Sequence, residues 1–196
     1  MTCLDWDTLA DAPPSPGKKT ALTIGVFDGV HLGHQALLDR IRSKAPELLP
    51  AAVTFRENPK KIISPHSYRG NIISFEEKCS LFEEFGVELC VIIDFSRNFS
   101  KMGGRDFVEA LSRSLDPAYA AVGINFHCGY RRDTGTDGFK ALAEARGIEV
   151  EILAPVLERG IPVSSSRVRD ALGAGRFEEA ERLLGRKLSR RGLYTA

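Results

Sequence analysis

Ala21-Leu22-Thr23-Ile24-Gly25-Val26-Phe27-Asp28-Gly29-Val30-His31-Leu32-Gly33-His34 is the stretch from which the rest of the chain can be read. Residues 21–27 are a short apolar run with β-branched members, which predicts a strand. Residues 34–45 carry Leu37, Leu38 and Ile41 at helical spacing and run up to Pro46, which predicts a helix. The turn between them holds Gly25, Gly29 and Gly33, spaced G-x-x-x-G-x-x-x-G. That is neither the dinucleotide fingerprint G-x-G-x-x-G nor a P-loop. What remains is His-x-Gly-His at a helix start. His31 and His34, three residues apart, share one face of the first turn. Gly33 between them lets a ligand approach the backbone.

Working outward, the alternation persists. Further strands are predicted at 51–55, 88–94, 118–124 and 148–153. Ser74 and Glu77 form a capping box for a helix that buries Phe75, Cys79 and Phe82 and stops at Gly86. Phe107, Leu111 and Leu115 mark a helix, residues 137–146 another, and 164–172 and 176–184 a closing pair, the last followed by Gly185. Residues 56–73, with Asn58-Pro59, Ser64-Pro65 and Gly70, read as loop; residues 1–19, broken by Pro and Gly over 12–17, read as an irregular arm. The pattern predicts an α/β fold: a Rossmann-like, doubly wound, five-stranded parallel sheet with helices on both faces. It has no internal repeat and no separating linker, so residues 20–190 read as one domain. Ligands on such sheets bind beyond the carboxyl ends of the strands, which singles out the loops after Phe27, Phe55, Asp94, Ile124 and Leu153.

Composition narrows the function. The 196 residues carry 27 Lys+Arg against 26 Asp+Glu, a net +1, so the chain is not a globally basic nucleic-acid binder. With 43% hydrophobic and 27% charged residues it is not a disordered chain. The longest apolar run, residues 89–93, is too short to span a bilayer, and no secretory signal is visible, so a cytoplasmic protein with no membrane contact is expected. Cys3, Cys79, Cys90 and Cys128 lack zinc-like spacing and read as free thiols. The Asn98-Phe99-Ser100 triplet has no meaning without export. The tail is locally basic, and Arg186-Lys187 and Arg190-Arg191 read as a solvated end.

Two helix starts carry the chemistry. A helix N-terminus has positive potential, which disfavours imidazolium in an empty site; a polyphosphate reverses that and draws His31 and His34 toward a donor-rich state. Such a pair can stabilise charge growing on a phosphoryl group. The second start is Val163-Ser164-Ser165-Ser166-Arg167-Val168-Arg169, after the fifth strand. Its hydroxyls and free N–H groups make an anion site, with Arg169 three residues past Ser166. Each feature alone also has a plain structural reading, as packing or capping groups; together they face the same strand ends.

GVFDGVHLGH resembles the signature of the HxGH nucleotidylyltransferase superfamily, in the form found in bacterial FAD synthetase. The resemblance covers roughly residues 20–190: SFEEKCSLFEEFGVE (74–88), FSRNFSKM with DFV (95–108), VGINF (122–126) and VSSSRVRDAL (163–172) follow in that family's order. It implies transfer of AMP from ATP to FMN, giving FAD and pyrophosphate, with Mg²⁺ entering on the ATP phosphates. His31, His34 and Arg169 would stabilise the transition state. Gly25, Phe27, Asp28, Gly33, Asn125, Ser164, Ser165 and Ser166 would hold ATP, with Asp28 shaping the turn rather than acting as a base. Phe55, Asn58, Pro59 and Cys128 would hold the flavin.

The chain departs from that family's pattern in three places. Asn58 stands where the flap usually has His, Cys128 stands where a Phe is usual, and the loop at 129–135 is one residue longer. No metal ligand, nucleic acid or obligate protein partner is indicated by the sequence. In bifunctional members the segment from Leu184 leads into a riboflavin kinase domain; only Leu193 to Ala196 follow Gly192 here, so that domain is expected to be absent. Two rivals stay open: a related nucleotidylyltransferase with another nucleotide or acceptor, and a catalytically silent flavin- or nucleotide-binding protein.

Overall fold

The computed structural model describes residues 1–9, 18–95 and 99–188. The proline–glycine break at 12–17, Asn98 of the Asn-Phe-Ser triplet and the Arg190-Arg191 pair lie outside the described residues. In chain order the elements are β1 (Thr2–Asp5), β2 (Thr20–Ile24), α1 (Leu32–Arg42), β3 (Leu49–Phe55), α2 (Lys60–Ile63), α3 (Phe75–Glu84) and β4 (Leu89–Ile93). There follow α4 (Gly104–Leu115), β5 (Pro117–Gly123), β6 (His127–Cys128), β7 (Thr134–Gly135), α5 (Thr136–Glu144), β8 (Glu149–Leu153), β9 (Leu157–Glu158), β10 (Ile161–Pro162), α6 (Ser165–Gly173) and α7 (Phe177–Leu184).

The main sheet runs β1-β4-β3-β2-β5-β8, and every pairing in it is parallel. It has six strands, not the five expected, and the extra one comes from the arm read as irregular. Thr2–Asp5 adds to the free edge of β4, with Cys3 opposite Cys90. The strand was hidden because an edge strand with three exposed residues of four carries no apolar alternation. Trp6 and Leu9 then close over that edge; Trp6 stacks on Phe107 at 5.4 Å between ring centroids. The loop expected at 56–73 also contains the short α2 and a 3-10 turn at Pro65–Ser67.

β2 and β4 are buried at all five positions each, which requires cover on both faces. One face packs on α1, α3, α6 and α7 through Leu37, Leu38, Ile41, Phe82, Val168 and Leu183. The other packs on α4 and α5 through Phe107, Leu111, Phe139 and Ala143. The helices carrying the two motifs, α1 and α6, therefore share a face. Ser74 caps α3 as expected, accepting from the Glu77 amide at 3.1 Å. Strand order reverses between β2 and β5, so the turn leaving β2 sits at the switch point where such sheets bind ligands. No helix among the described residues is long and apolar enough to cross a membrane.

Candidate active site

The turn after β2 is strained and tightly held. Phe27 and Val30 both adopt left-handed backbone, φ 53° and 40°, while wholly buried. For a β-branched residue such as Val30 this persists only where the surroundings over-determine it. The Phe27 ring turns into the core, edge-on to Phe82 and to His34, each at 5.1 Å. It therefore anchors the turn and presents no ring to a ligand. Gly29, at φ +85°, lies against Ile72, whose side chain leaves 3.1 Å for any added Cβ. His31 is the N-cap of α1, and its carbonyl accepts from the amides of His34 at 2.7 Å and Gln35 at 3.0 Å.

The two imidazoles lie flat on each other, centroids 3.7 Å apart at 14°. Their Nδ1 atoms are enclosed and have no hydrogen-bond partner among the described residues. Burial pushes the His31 ring down to about 4, helped by the nearby Arg186 cation. Burial likewise holds His34 well below its usual value, with His31 and Lys78 adding to the effect. Both rings are thus neutral near pH 7, with loss of hydration the largest cause.

The second turn meets the first through Asp28. Ser164 caps α6, accepting from the Arg167 amide at 3.2 Å. The Ser165 hydroxyl donates to the Asp28 carbonyl at 2.9 Å. The Arg169 guanidinium pairs with the Asp28 carboxylate, and its Nε donates to Gly70 O at 3.1 Å. Asp28 Oδ1 also accepts from the Ile72 amide at 2.8 Å, and Asn58 Nδ2 lies 3.5 Å from Oδ2. Burial raises the Asp28 carboxyl above its ordinary value, and Arg169 opposes that. Asp28 therefore ties the histidine turn, the flap, the segment before α3 and α6 together. Ser166 is exposed, and Arg169 faces Asp28 rather than the serine. Gly33 completes the junction: a Cβ there would sit 3.3 Å from the His31 ring and 3.9 Å from Val163 O. Gly25, just after β2, is bonded through its amide to Val53 O at 3.0 Å.

Of the residues expected at the flavin end, Asn58 joins this cluster and is 7% exposed. Phe55, at the end of β3, is half-buried and packs edge-on to Phe95 at 5.9 Å. Pro59 caps α2. Asn125 is exposed, and its carbonyl contacts the His127 ring at 2.8 Å. Cys128 is half-buried beside the second core, where burial pushes its thiol up to about 12. Neither Asn125 nor Cys128 is hydrogen-bonded to the histidine turn among the described residues.

Two cations at the site are buried or half-buried where a solvated side chain is the ordinary expectation. Lys78 is 6% exposed, and its Nζ donates to Phe55 O at 2.7 Å, Thr54 Oγ1 at 3.1 Å and Val26 O at 3.3 Å. It closes the carboxyl ends of β2 and β3, and burial lowers it to about 8. Its spacing was the available signal: it falls three residues after Phe75 and four before Phe82, on the buried stripe. With Asp28, Arg56, Asn58 and Phe75 it lines an open cleft of about 250 Å³. The other cation is Arg186, expected to be solvated but half-buried against the Val30 carbonyl. Lys187 beside it is solvated, 90% exposed.

No group of three His, Cys, Asp or Glu side chains among the described residues is arranged to hold a metal ion. The carboxylate at the centre of the site, Asp28, is committed to Arg169 and to the Ile72 amide. The described residues do not fit a metal held by the protein alone.

Comparison with known proteins gives the family. The FAD synthetase family model matches residues 14–167. A bifunctional riboflavin kinase/FMN adenylyltransferase of Pseudomonas fluorescens is 35% identical over 84% of this chain and 53% of its own length. An FAD synthetase of Listeria monocytogenes is 30% identical over 89% of this chain and 72% of its own. The chain thus spans about half the length of the bifunctional relatives it matches. A solved structure described as a macrolide-efflux protein from Streptococcus pneumoniae superposes with a TM-score of 0.82 at 24% identity, covering 95% of this chain and 62% of that one, and shares the fold. With the family model matched over most of its residues and a relative of similar extent beside it, the chain belongs to the FAD synthetase family.

Proposed function

We propose that the protein transfers AMP from ATP to FMN, giving FAD and pyrophosphate. The carrying observation is the stacked pair of neutral, buried imidazoles at a helix N-terminus, each with an Nδ1 that has no hydrogen-bond partner among the described residues. A helix N-terminus attracts an anion, and two neutral imidazoles stacked at one fit a site built to meet a phosphate. Family membership supports adenylyl transfer as the use of that site.

In this reading ATP lies across the turns that start α1 and α6. An FMN phosphate oxygen attacks the α-phosphorus in line; the new P–O bond forms as the bond to the β-phosphate oxygen breaks, and pyrophosphate leaves. This needs alignment and charge stabilisation and no protein nucleophile. His31 and His34 donate to the phosphates where charge grows. Ser164, Ser165, Ser166, Gly25, Gly33 and Asn125 position ATP, and Asp28 holds the two turns together. Arg169 is paired with Asp28 in the structure and acts on the phosphates by moving off that carboxylate. Phe55, Asn58, Pro59 and Cys128 hold the flavin end. Mg²⁺ is proposed only as the ion that accompanies ATP, since the described residues offer no cage for it; no step is assigned to it.

The test is incubation with FMN, ATP and Mg²⁺ followed by chromatography of the flavins, with CTP in place of ATP and riboflavin in place of FMN as controls. FAD formed only from FMN and ATP supports the reading. ATP binding without FAD formation overturns it and points to Asn58, Cys128 and the longer 129–135 loop as the cause.

A further inference from the structure

We propose that Arg186 is a positioning residue for the histidine turn, clamping the Val30 carbonyl so that His31 and His34 stay aimed at the nucleotide. The inference rests on the adenylyltransferase reading and extends it to a segment which that reading leaves unused. Val30 immediately precedes His31, and its left-handed backbone must be held from outside. Its carbonyl accepts two side-chain bonds, from Gln35 Nε2 at 2.9 Å and from Arg186 Nη1 at 3.2 Å. The same two donors also reach the last carbonyl of α7: Gln35 Nε2 to Leu184 O at 2.6 Å and Arg186 Nη1 to it at 3.4 Å. Two carbonyls from segments about 150 residues apart in the chain thus share two donors.

The crossing is close, and a side chain at Gly185 would be strained and would displace Leu32. Gly185 has φ +66°, and a Cβ there would fall 2.6 Å from Leu32 Cδ2. Beyond it the Leu188 amide bonds Glu181 Oε1 at 3.1 Å, and the Leu188 side chain packs on the core, so residues 185–188 are folded onto the site. Gln35 alone could satisfy the Val30 carbonyl. Arg186 adds a full positive charge beside His31, which opposes protonation of that ring until a polyanion arrives. The groups facing His31 are His34 from α1 and Arg186 from the segment after α7; Lys78 and the Asp28–Arg169 pair lie beyond, and Glu77 stands 3.9 Å behind Arg186.

The test uses Arg186→Met and, in case that variant folds poorly, Arg186→Lys, each measured two ways. In steady-state FAD formation Arg186→Met lowers kcat roughly tenfold with the KM for ATP changed less than about threefold, and Arg186→Lys recovers most of the loss. By NMR of the histidine rings in the protein without nucleotide, the His31 titration moves up in Arg186→Met and stays near wild type in Arg186→Lys. A wild-type protein that makes no FAD would count against the adenylyltransferase reading and would leave the NMR arm to decide the clamp. An unchanged His31 titration in Arg186→Met, or a kcat within twofold of an active wild type, overturns the proposal.

Discussion

Gly33→Ala separates what the histidine turn does for folding from what it does for chemistry. Gly33 is the second residue of α1 and its backbone has ordinary helical sign, so alanine suits the conformation and gains about 0.5–1 kcal/mol of helix propensity. Its Cβ, however, would lie 3.3 Å from both Cε1 and Nδ1 of His31, inside normal van der Waals distance. The ring cannot give way toward His34, whose plane is already 3.7 Å off at the centroid. It must slide by a few tenths of an ångström, which offsets most of the propensity gain. Misplacing a catalytic group by 1 Å costs about 10²-fold, so this shift predicts a kcat lower by roughly five- to tenfold, or about 1 kcal/mol. Stability, followed by chemical denaturation, should stay within about 1 kcal/mol of wild type, a Tm change of roughly 2–4 °C at most. An active, equally stable Gly33→Ala protein with kcat within twofold of wild type would show that the placement of the His31 ring does not control the reaction.

Four further outcomes follow from the same geometry. His31→Ala removes a group that acts on developing charge, so FAD formation should fall more than about 10²-fold in kcat while the melting curve stays cooperative; an unchanged kcat removes His31 from the mechanism. Because His31 titrates near 4 in the folded protein and near 6.5 unfolded, its neutral form is the one the fold prefers. Stability is therefore full above 6.5 and should drop by about 2 kcal/mol by pH 5 from this residue, and urea titrations of His31→Asn should show a shallower decline between those values. Lys78→Met strips Phe55 O, Thr54 Oγ1 and Val26 O of a buried donor; a loss of about 2–3 kcal/mol and a Tm lower by roughly 5–10 °C are expected in calorimetry. Asp28→Asn keeps an acceptor for the Ile72 amide but leaves Arg169 without its counter-ion; it should destabilise the protein by about 2–3 kcal/mol yet lower the KM for ATP, and a raised KM would show that Arg169 is not freed toward phosphate.

The core of the fold was legible because its signals are local. An apolar run, a capping Ser74 and a helix-ending Gly86 or Gly185 each act within a few residues, so β2, β3, β4, β5 and β8 and the long helices between them could be read from the chain, while the two-residue β6 and β7 and the single-turn α2 could not. The edge strand β1 could not. Its register is set by the open edge of β4, 87 residues away, and three of its four side chains face water, which erases the pattern that marks a strand. The turns that start α1 and α6 were legible for the same local reason: each sets glycines with histidines, or a run of serines, directly before a helix.

What the sequence withheld is the way those turns lock. Asp28 was read as shaping its own turn, and it does so by accepting from Ile72 and by pairing with Arg169, which lies 141 residues away. The contact explains why Arg169 does not lie over Ser166 as helix spacing suggested: a buried carboxylate draws a guanidinium more strongly than an exposed hydroxyl does. Lys78 and Arg186 were missed by the same logic in reverse. Lysine and arginine are read as solvent-facing by default, and both here spend their charge on backbone carbonyls at strand ends and turns. A carbonyl leaves no mark in a sequence, because every residue has one. Strain does leave a trace once the turn is known: a valine at positive φ in a buried loop requires donors aimed at its peptide, and only Gln35 is close enough in sequence to be guessed. Gln35 meets that carbonyl from the next turn of α1, and the added donor, Arg186, comes from 156 residues away.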